Sequence, residues 1–536
     1  MERARFERTL TAALSRRRVL DLGLAGAAAV SLPGRATAVP GGRDAGATLR
    51  RPQFSANPFG LGVASGDPLP EGVVLWTRLA PDPANGGGME PAPVEVRWEV
   101  ADDEAMTKIV ATGAETATPD LAHSVHADVA GLRPDTGYFY RFTVGSEASP
   151  VGRTRTAPAA DATPERLRFA FLSCANWEHG HFTAYGDVAN QDLSFVAFLG
   201  DYIYEYGRES ADFRNGSGAV RLVTGGEART LEEYRTRHAL YKTDQDLQVA
   251  HLAHPWIVTW DDHEVENDYA GDHSERGDPV DAFRARRAAA YQAYYEHMPL
   301  RAASLPTGPD MRLYRRFGFG RLLEMSVLDT RQYRTIQSCG KVGPRCAATF
   351  APASTMTGPE QERWLLDGLG ASTATWKTIA QQVMMAQLEV DFGSASPQFN
   401  QDQWDGYPAA RNRILGHIRD AKVGNAIVLA GDIHSSWVGD LKADFADEKS
   451  PVVASEFVGP SVTSYNPFAT QLGLLLPKNP HLKYYDARHG YVACDVTPTA
   501  WRSDYRAVET VDTPDAPVAT IVSWVVEAGK AGVMKL

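Results

Sequence analysis

With 536 residues the chain is too long for one ordinary domain, and 43% hydrophobic and 22% charged residues is a globular composition. Its 33 prolines and 47 glycines exclude a long helical bundle. A net charge of −12, with no basic tract beyond the N-terminus, argues against a general nucleic-acid-binding surface. A phosphate substrate is not excluded, because bound cations reverse a local field.

Residues 1–38 read as a leader rather than as part of the fold. Ser15-Arg16-Arg17-Arg18-Val19-Leu20 has the form of a twin-arginine export motif, a mildly apolar run follows from Leu20 to Leu32, and Ala36-Thr37-Ala38 supplies a small-residue cleavage site. That run is shorter than the ~20 apolar residues needed to span a bilayer, and no other segment is apolar enough to cross one. The expected location is therefore secreted, extracellular or cell-wall associated, by way of the twin-arginine export machinery.

Residues 55–155 alternate as half-buried strands do, at Gly72–Arg78 and Val94–Val100, and Leu132-Arg133-Pro134-Asp135-Thr136-Gly137-Tyr138 is a turn feeding another strand. This predicts an N-terminal β-sandwich of the fibronectin III-like kind. It holds no polar triad and reads as a packing domain. Residues 156–164, small and proline-containing, read as a linker.

From 165 to 536 the pattern changes to short apolar runs that each end in polar residues. Leu167–Leu172 ends at Ser173-Cys174-Ala175-Asn176, and Phe195–Leu199 at Gly200-Asp201-Tyr202-Ile203-Tyr204-Glu205. Trp256–Trp260 ends at Asp261-Asp262-His263-Glu264-Val265-Glu266-Asn267-Asp268. Leu322–Leu328 ends at Asp329-Thr330-Arg331, and Ala426–Ala430 at Gly431-Asp432-Ile433-His434-Ser435-Ser436. Such runs are strands covered on both faces. Helices are expected between them, at Asp281–Tyr295 and Pro359–Leu369. In α/β sheets, sites form beyond the carboxyl ends of strands. One Asp after a strand is usually a helix cap; this many clusters at strand ends form a metal-ligand inventory. Thiolate and phenolate beside carboxylates and imidazole favour a trivalent ion such as ferric iron. Harder carboxylate positions are left for a second ion such as calcium.

Cys339 and Cys346, in a Gly- and Pro-containing loop, form a disulfide candidate in an exported protein. Cys494, in a strand-like run, reads as a buried apolar side chain. Ser173 and Ser435 lack the G-x-S-x-G elbow of a covalent nucleophile.

The strings Phe198–Glu205, Trp260–Asn267, Tyr291–Pro299, Leu328–Arg334 and Leu429–Ser436 resemble the signature runs of the PhoD alkaline phosphatase and phosphodiesterase family, which includes secreted actinobacterial phospholipase D enzymes. The resemblance covers nearly the whole chain. It implies an α/β fold, a metallophosphoesterase-type αββα sandwich of two mixed sheets flanked by helices. It also implies in-line hydrolysis of phosphate mono- and diesters at a centre of Fe3+ and Ca2+. Cys174, Asp201, Tyr204 and His434 would hold iron, with Asp201 bridging to calcium. Asn267 and Asp432 would complete the calcium site, Asp432 having iron as its alternative. Asp262, His263 and Glu264 stand where the wider superfamily carries an Asn-His pair, with roles open between ligand, support and proton transfer. Arg286 or Arg287, with Arg287 preferred, matches an arginine that contacts phosphate; Arg331 is the weaker candidate. The non-enzymatic alternative is a secreted, metal-stabilised binding protein.

Overall fold

The computed structural model describes residues 54–208, 218–390 and 396–536. The expected leader over 1–38 lies outside these residues. Among the described residues no helix is long and apolar enough to cross a membrane.

Two mixed sheets dominate. The larger has ten strands, in the order Met534–Lys535, Val518–Glu527, Ala500–Val508, Gly490–Val496, Leu167–Leu172, Phe195–Leu199, Pro255–Thr259, Val63–Leu69, Gly72–Arg78 and Ser124–Ala130. The smaller has seven: Arg315–Phe319, Leu323–Val327, Trp376–Ala380, Ala426–Ala430, Val452–Val458, Ser436–Lys442 and Leu482–Asp486. Each has a parallel centre and antiparallel margins. Leu167–Leu172, Phe195–Leu199 and Pro255–Thr259 run parallel in the first, and the four strands from Leu323–Val327 to Val452–Val458 in the second.

The apolar runs are continuous because both faces of these strands are covered. One core lies between the sheets: Phe169, Phe195, Leu199 and Val492 of the larger meet Phe317, Met325, Ile427 and Phe457 of the smaller. The outer face of the larger sheet packs on the helices Thr183–Ala189, Leu231–Lys242, Gln245–Ala253 and Val280–His297, through Tyr185, Phe198, Trp256, Tyr291 and Tyr294. The outer face of the smaller sheet packs on Gly358–Ala371 and Pro408–Asp420. The layers are thus helices, sheet, sheet, helices. Both helices expected from the sequence are present, each extended by one to two residues per end.

The N-terminal unit packs as two sheets but does not close on itself. Its five-stranded sheet centres on Val94–Ala101 and Gly137–Val144. The sheet facing it, Val63–Leu69, Gly72–Arg78 and Ser124–Ala130, is the end of the ten-stranded sheet. Ser65 and Gly66 pair in parallel with Pro255 and Trp256. The shared core includes Val73, Leu75, Val96, Val100, Tyr140 and Phe142. The strands expected here are present, but Gly72–Arg78 is buried along its whole length rather than half-buried, and pairing across almost two hundred residues lies outside any local pattern. Cys339 and Cys346 are disulfide-bonded, with Cα atoms 6.0 Å apart. Cys494 is buried between the sheets. Ile521–Val526 belongs to a strand of the larger sheet.

Candidate metal centre

The parallel strands of both sheets end at the same side of the molecule. Phe198 pairs with Leu172 and with Val258, which brings three strand ends into line. The second sheet is tied on by a parallel bridge between Ser173 and Ser461 and by the Val462 N–H donating to the Ser173 carbonyl at 2.9 Å. The first residues beyond several of these strands turn sharply through left-handed backbone: Cys174 (φ 61°), Asp201 (φ 57°), Asp432 (φ 63°) and His434 (φ 52°). Non-glycine residues held there cost about 1–3 kcal/mol each and persist only where their surroundings demand it. Gly200 precedes Asp201 at φ 111°, and a Cβ on it would overlap Asp261. The Gly-Asp pair is therefore a packing requirement of two adjacent strand ends.

Potential ligand atoms form one row. Cys174, Asp201 and His434 lie within 4.8 Å of one another; so do Asp201, Asp262 and His263, and so do Asp261, Asp262 and Asp432. Asp201 and Asp262 are each shared by two of these groups. Tyr204 joins the first, its hydroxyl 2.9 Å from Asp201 Oδ2 and 3.0 Å from His434 Nε2, while it accepts from Ser464 at 2.6 Å. His434 Nδ1 lies 3.0 Å from the Tyr465 carbonyl, an acceptor only, so Nδ1 carries the proton and Nε2 turns its lone pair to the cluster. Asp201 Oδ1 and Asp261 Oδ2 are buried and accept no hydrogen bond.

The row is electrostatically unbalanced. Burial, then Asp201, pushes the Cys174 thiol and the Tyr204 phenol up, and burial takes His434 down to about 3. Burial together with Asp262 and Asp402 raises Asp432 to about 6, against the pull of Arg331. Arg331, fully buried, is the counter-charge: it pairs with Asp261, with Asp402 at 2.8 Å, with Asp432 at 3.3 Å and with Asp262 at 3.5 Å. Burial opposes charge on His263, but Glu205, Asp262 and Asp201 outweigh it and raise its pKa. Glu205 holds His263 Nδ1 at 2.8 Å. The ring centroid of Tyr204 lies 4.1 Å from that of His263, and Tyr206 meets the same imidazole edge-on.

Residues 169–505 match the model of the PhoD-like phosphatase family, and residues 44–158 match that of the PhoD-like phosphatase N-terminal domain. The chain belongs to the PhoD-like phosphatase family. It is 50% identical over 490 residues to alkaline phosphatase D of Bacillus subtilis (strain 168), a match covering 90% of this chain and 83% of that protein. A solved structure of PhoD superposes with a TM-score of 0.88 at 50% identity, covering 90% of this chain and 93% of that one. The protein is thus an enzyme, a hydrolase of the phosphatase class, and the non-enzymatic alternative is set aside.

Not every residue singled out in the sequence stands in the row. Cys174, Asp201, Tyr204, Asp262, His263, Asp432 and His434 do. Asn267 follows the same strand end as His263, its backbone N–H donating to Glu205 Oε1 at 2.9 Å beside the Glu205–His263 pair. The Glu264 carboxylate is turned away to the main chain, accepting from the N–H groups of Asp201 (3.1 Å), Tyr202 (2.5 Å) and Asp261 (2.8 Å). It ties two strand ends together. Arg287 also departs from expectation: its guanidinium donates to the Gly271 and Pro309 carbonyls and pairs with Asp272 at 3.0 Å. Arg286 is occupied by Glu266, Glu227 and Tyr234. The arginine that does reach the row is Arg331. Glu456, a further buried carboxylate, accepts from the Met385 and Ala386 N–H groups. Trp404, Tyr407 and Tyr202 are core residues, whereas Tyr204 and Tyr206 both border His263.

Sequence reasoning left Asp261, Glu205, Asp402 and Gln403 without roles. Asp402 receives Arg331, Arg334 and, at 2.7 Å, Gln337, two residues before the disulfide-closed loop; Gln403 donates to Asp432. Asp402 and Gln403 follow no apolar run, and their one legible signal was polarity at buried positions.

Proposed function

We propose that this phosphatase is a secreted, metal-dependent phosphoesterase that hydrolyses phosphate mono- and diesters at a ferric–calcium centre. The observation that carries the reading is the convergence of a thiol, a phenol, a carboxylate and a bare imidazole nitrogen at one end of a row whose other end is carboxylate alone. The fit is supported by the buried, unpartnered oxygens of Asp201 and Asp261. Burial also disfavours the ionised forms of Cys174 and Tyr204, an imbalance that a cation reverses. Cys174, Asp201, Tyr204 and His434 would hold ferric iron. Asp201, Asp262, Asp432 and Asn267 would serve calcium, which takes oxygen ligands in flexible geometry.

The ions, when bound, supply positive charge against the phosphoryl oxygens. The chain's own groups do the rest. Arg331, tied to four aspartates, spreads their charge and orients them. His263, with Nδ1 fixed by Glu205, presents Nε2 as a donor to a phosphoryl or leaving-group oxygen. Glu264 sets the spacing of the Asp201 and Asp261 turns. Diesters with an alcohol leaving group, the class to which phospholipid headgroups belong, fall within the same chemistry. The leader motif and the Cys339–Cys346 disulfide support export.

The decisive experiment is elemental analysis of the purified enzyme beside turnover of p-nitrophenyl phosphate and its bis ester. Expected are iron and calcium in the protein, visible colour from thiolate- or phenolate-bound ferric iron, and both esters cleaved. A colourless, iron-free and fully active enzyme would end the reading.

A further inference from the structure

Where the N-terminal unit meets the helix Leu231–Lys242 lies a cavity of about 170 Å³. It is lined by Arg78, His123, Arg235, Gly86, Gly87 and Met89, among others, and no acidic side chain lines it. Arg78 ends the strand Gly72–Arg78 and is only 2% exposed.

The partners of Arg78 are all neutral. Its Nε donates to the Ala122 carbonyl at 2.9 Å, and its Nη1 to His297 Nε2 at 2.8 Å. That imidazole spends its own proton on the Ala293 carbonyl at 2.6 Å, and burial keeps it uncharged. The carboxylate that acts on Arg78, Glu296, is claimed by Arg235 in a two-pronged pair at 2.7 and 2.6 Å and by Gln292 at 3.0 Å. Arg78 Nη2 makes no hydrogen bond to the described residues. It lies beneath the lip of the cavity, where a Cβ on Gly87 would stand 3.2 Å from it. Gly87 is left-handed at φ 93°, so the lip approaches the guanidinium as only glycine backbone permits. Burial, with Arg235 nearby and against the pull of Glu296, lowers the affinity of this guanidinium for its proton, to about 10. A buried cation without a paired anion is costly, and guanidinium forks are suited to oxyanions.

We propose that this cavity is an anion site, separate from the metal centre, that takes a small tetrahedral oxyanion of the orthophosphate type between Arg78 and Arg235. The two guanidiniums come from a strand and a helix, so the donors converge from different directions rather than in the single plane that suits a carboxylate. The glycine lip closes the third side.

Equilibrium dialysis of the holoenzyme against labelled orthophosphate tests this directly. Wild-type protein is expected to bind phosphate at a second site in addition to the metal centre. Met89→Trp, which fills the cavity from its half-buried rim, and Arg78→Leu, which removes the guanidinium, should each weaken that second event at least tenfold. Phosphate inhibition of p-nitrophenyl phosphate turnover, which reads the metal centre, should be unchanged in both. Should Arg78→Leu fail to fold, Met89→Trp decides alone. Wild-type protein that binds no second phosphate overturns the proposal, and so does a second site that Met89→Trp leaves intact.

Discussion

Two buried regions of the molecule are charged in opposite senses. Around Asp201, Asp261, Asp262 and Asp432, buried carboxylates outnumber the one guanidinium set among them, and three of their oxygens accept no hydrogen bond. Around Arg78 and Lys242 the buried cations are hydrogen-bonded to neutral groups and to no carboxylate. Lys242 is fully enclosed, its ammonium 3.1 Å from the Tyr202 hydroxyl and 4.4 Å from the Trp76 ring, and both nitrogens of the neighbouring His238 are unpartnered. A folded chain bears such imbalance where a ligand completes it, or where the group sheds its charge. The acid row suits cations. In the basic region Arg78, though buried, borders a cavity, while the enclosed Lys242 has its pKa lowered by burial.

The comparison breaks most sharply at Asp201. Asp201→Ala should lower kcat/KM by ~10³-fold, about 4 kcal/mol in barrier, and strip metal, whereas Arg78→Leu should leave kcat/KM within about twofold and the metal content intact; metal analysis beside steady-state kinetics reads both. Equal losses in the two variants would mean that the regions are not separate.

Arg331→Met removes the counter-charge of the acid row. Deleting one partner of a buried ionic network typically costs about 3–5 kcal/mol. The expected loss of stability is of that size in metal-stripped protein and markedly smaller in the loaded enzyme, where cations take over the neutralisation. Denaturant melts with and without metal would show it, and a loss independent of metal would assign Arg331 to packing alone.

Lys242 sharpens the opposite pole. Burial lowers its pKa from 10.5 to about 7. Between these values the unfolded chain binds a proton that the folded chain has released, so this group makes stability rise with pH, by about 1.4 kcal/mol per unit. Below pH 7 both forms hold the proton and the full burial penalty remains. Lys242→Met should be more stable than wild type near pH 7, with the difference shrinking toward pH 10. Urea melts at a series of pH values check the slope, and parallel curves for the two proteins would refute it.

The smallest contrast lies between the two free cysteines, both buried. Cys494 packs in the inter-sheet core with its sulfur 3.8 Å from Ser503 Oγ, and Cys494→Ala should cost on the order of 1–2 kcal/mol with unchanged metal content. Cys174→Ala should instead lose the visible absorption. Spectra and thermal melts of both variants separate core filling from ligation.

What the sequence by itself determined was five of the central strands and the polar turn after each, while the parallel strands Trp376–Ala380 and Val452–Val458 were not among them. Continuous apolar runs can be satisfied only by cover on both faces, and Gly200-Asp201 and Gly431-Asp432 marked backbone turned sharply at strand ends. The disulfide was legible from spacing and context. The tertiary structure decided everything that depends on charge meeting charge across the chain. Glu264 and Arg287 looked chemical in one dimension, yet their polar atoms are spent on the main chain and on Asp272. Arg331, seventy residues from Asp261, became the hub of the acid row. The N-terminal unit proved to share a sheet with the catalytic layers, because Ser65 pairs with Pro255 and no local pattern records that register. Strand periodicity is a short-range property of the chain, whereas Coulomb forces in a buried interior depend only on distance, and that distance exists only after folding.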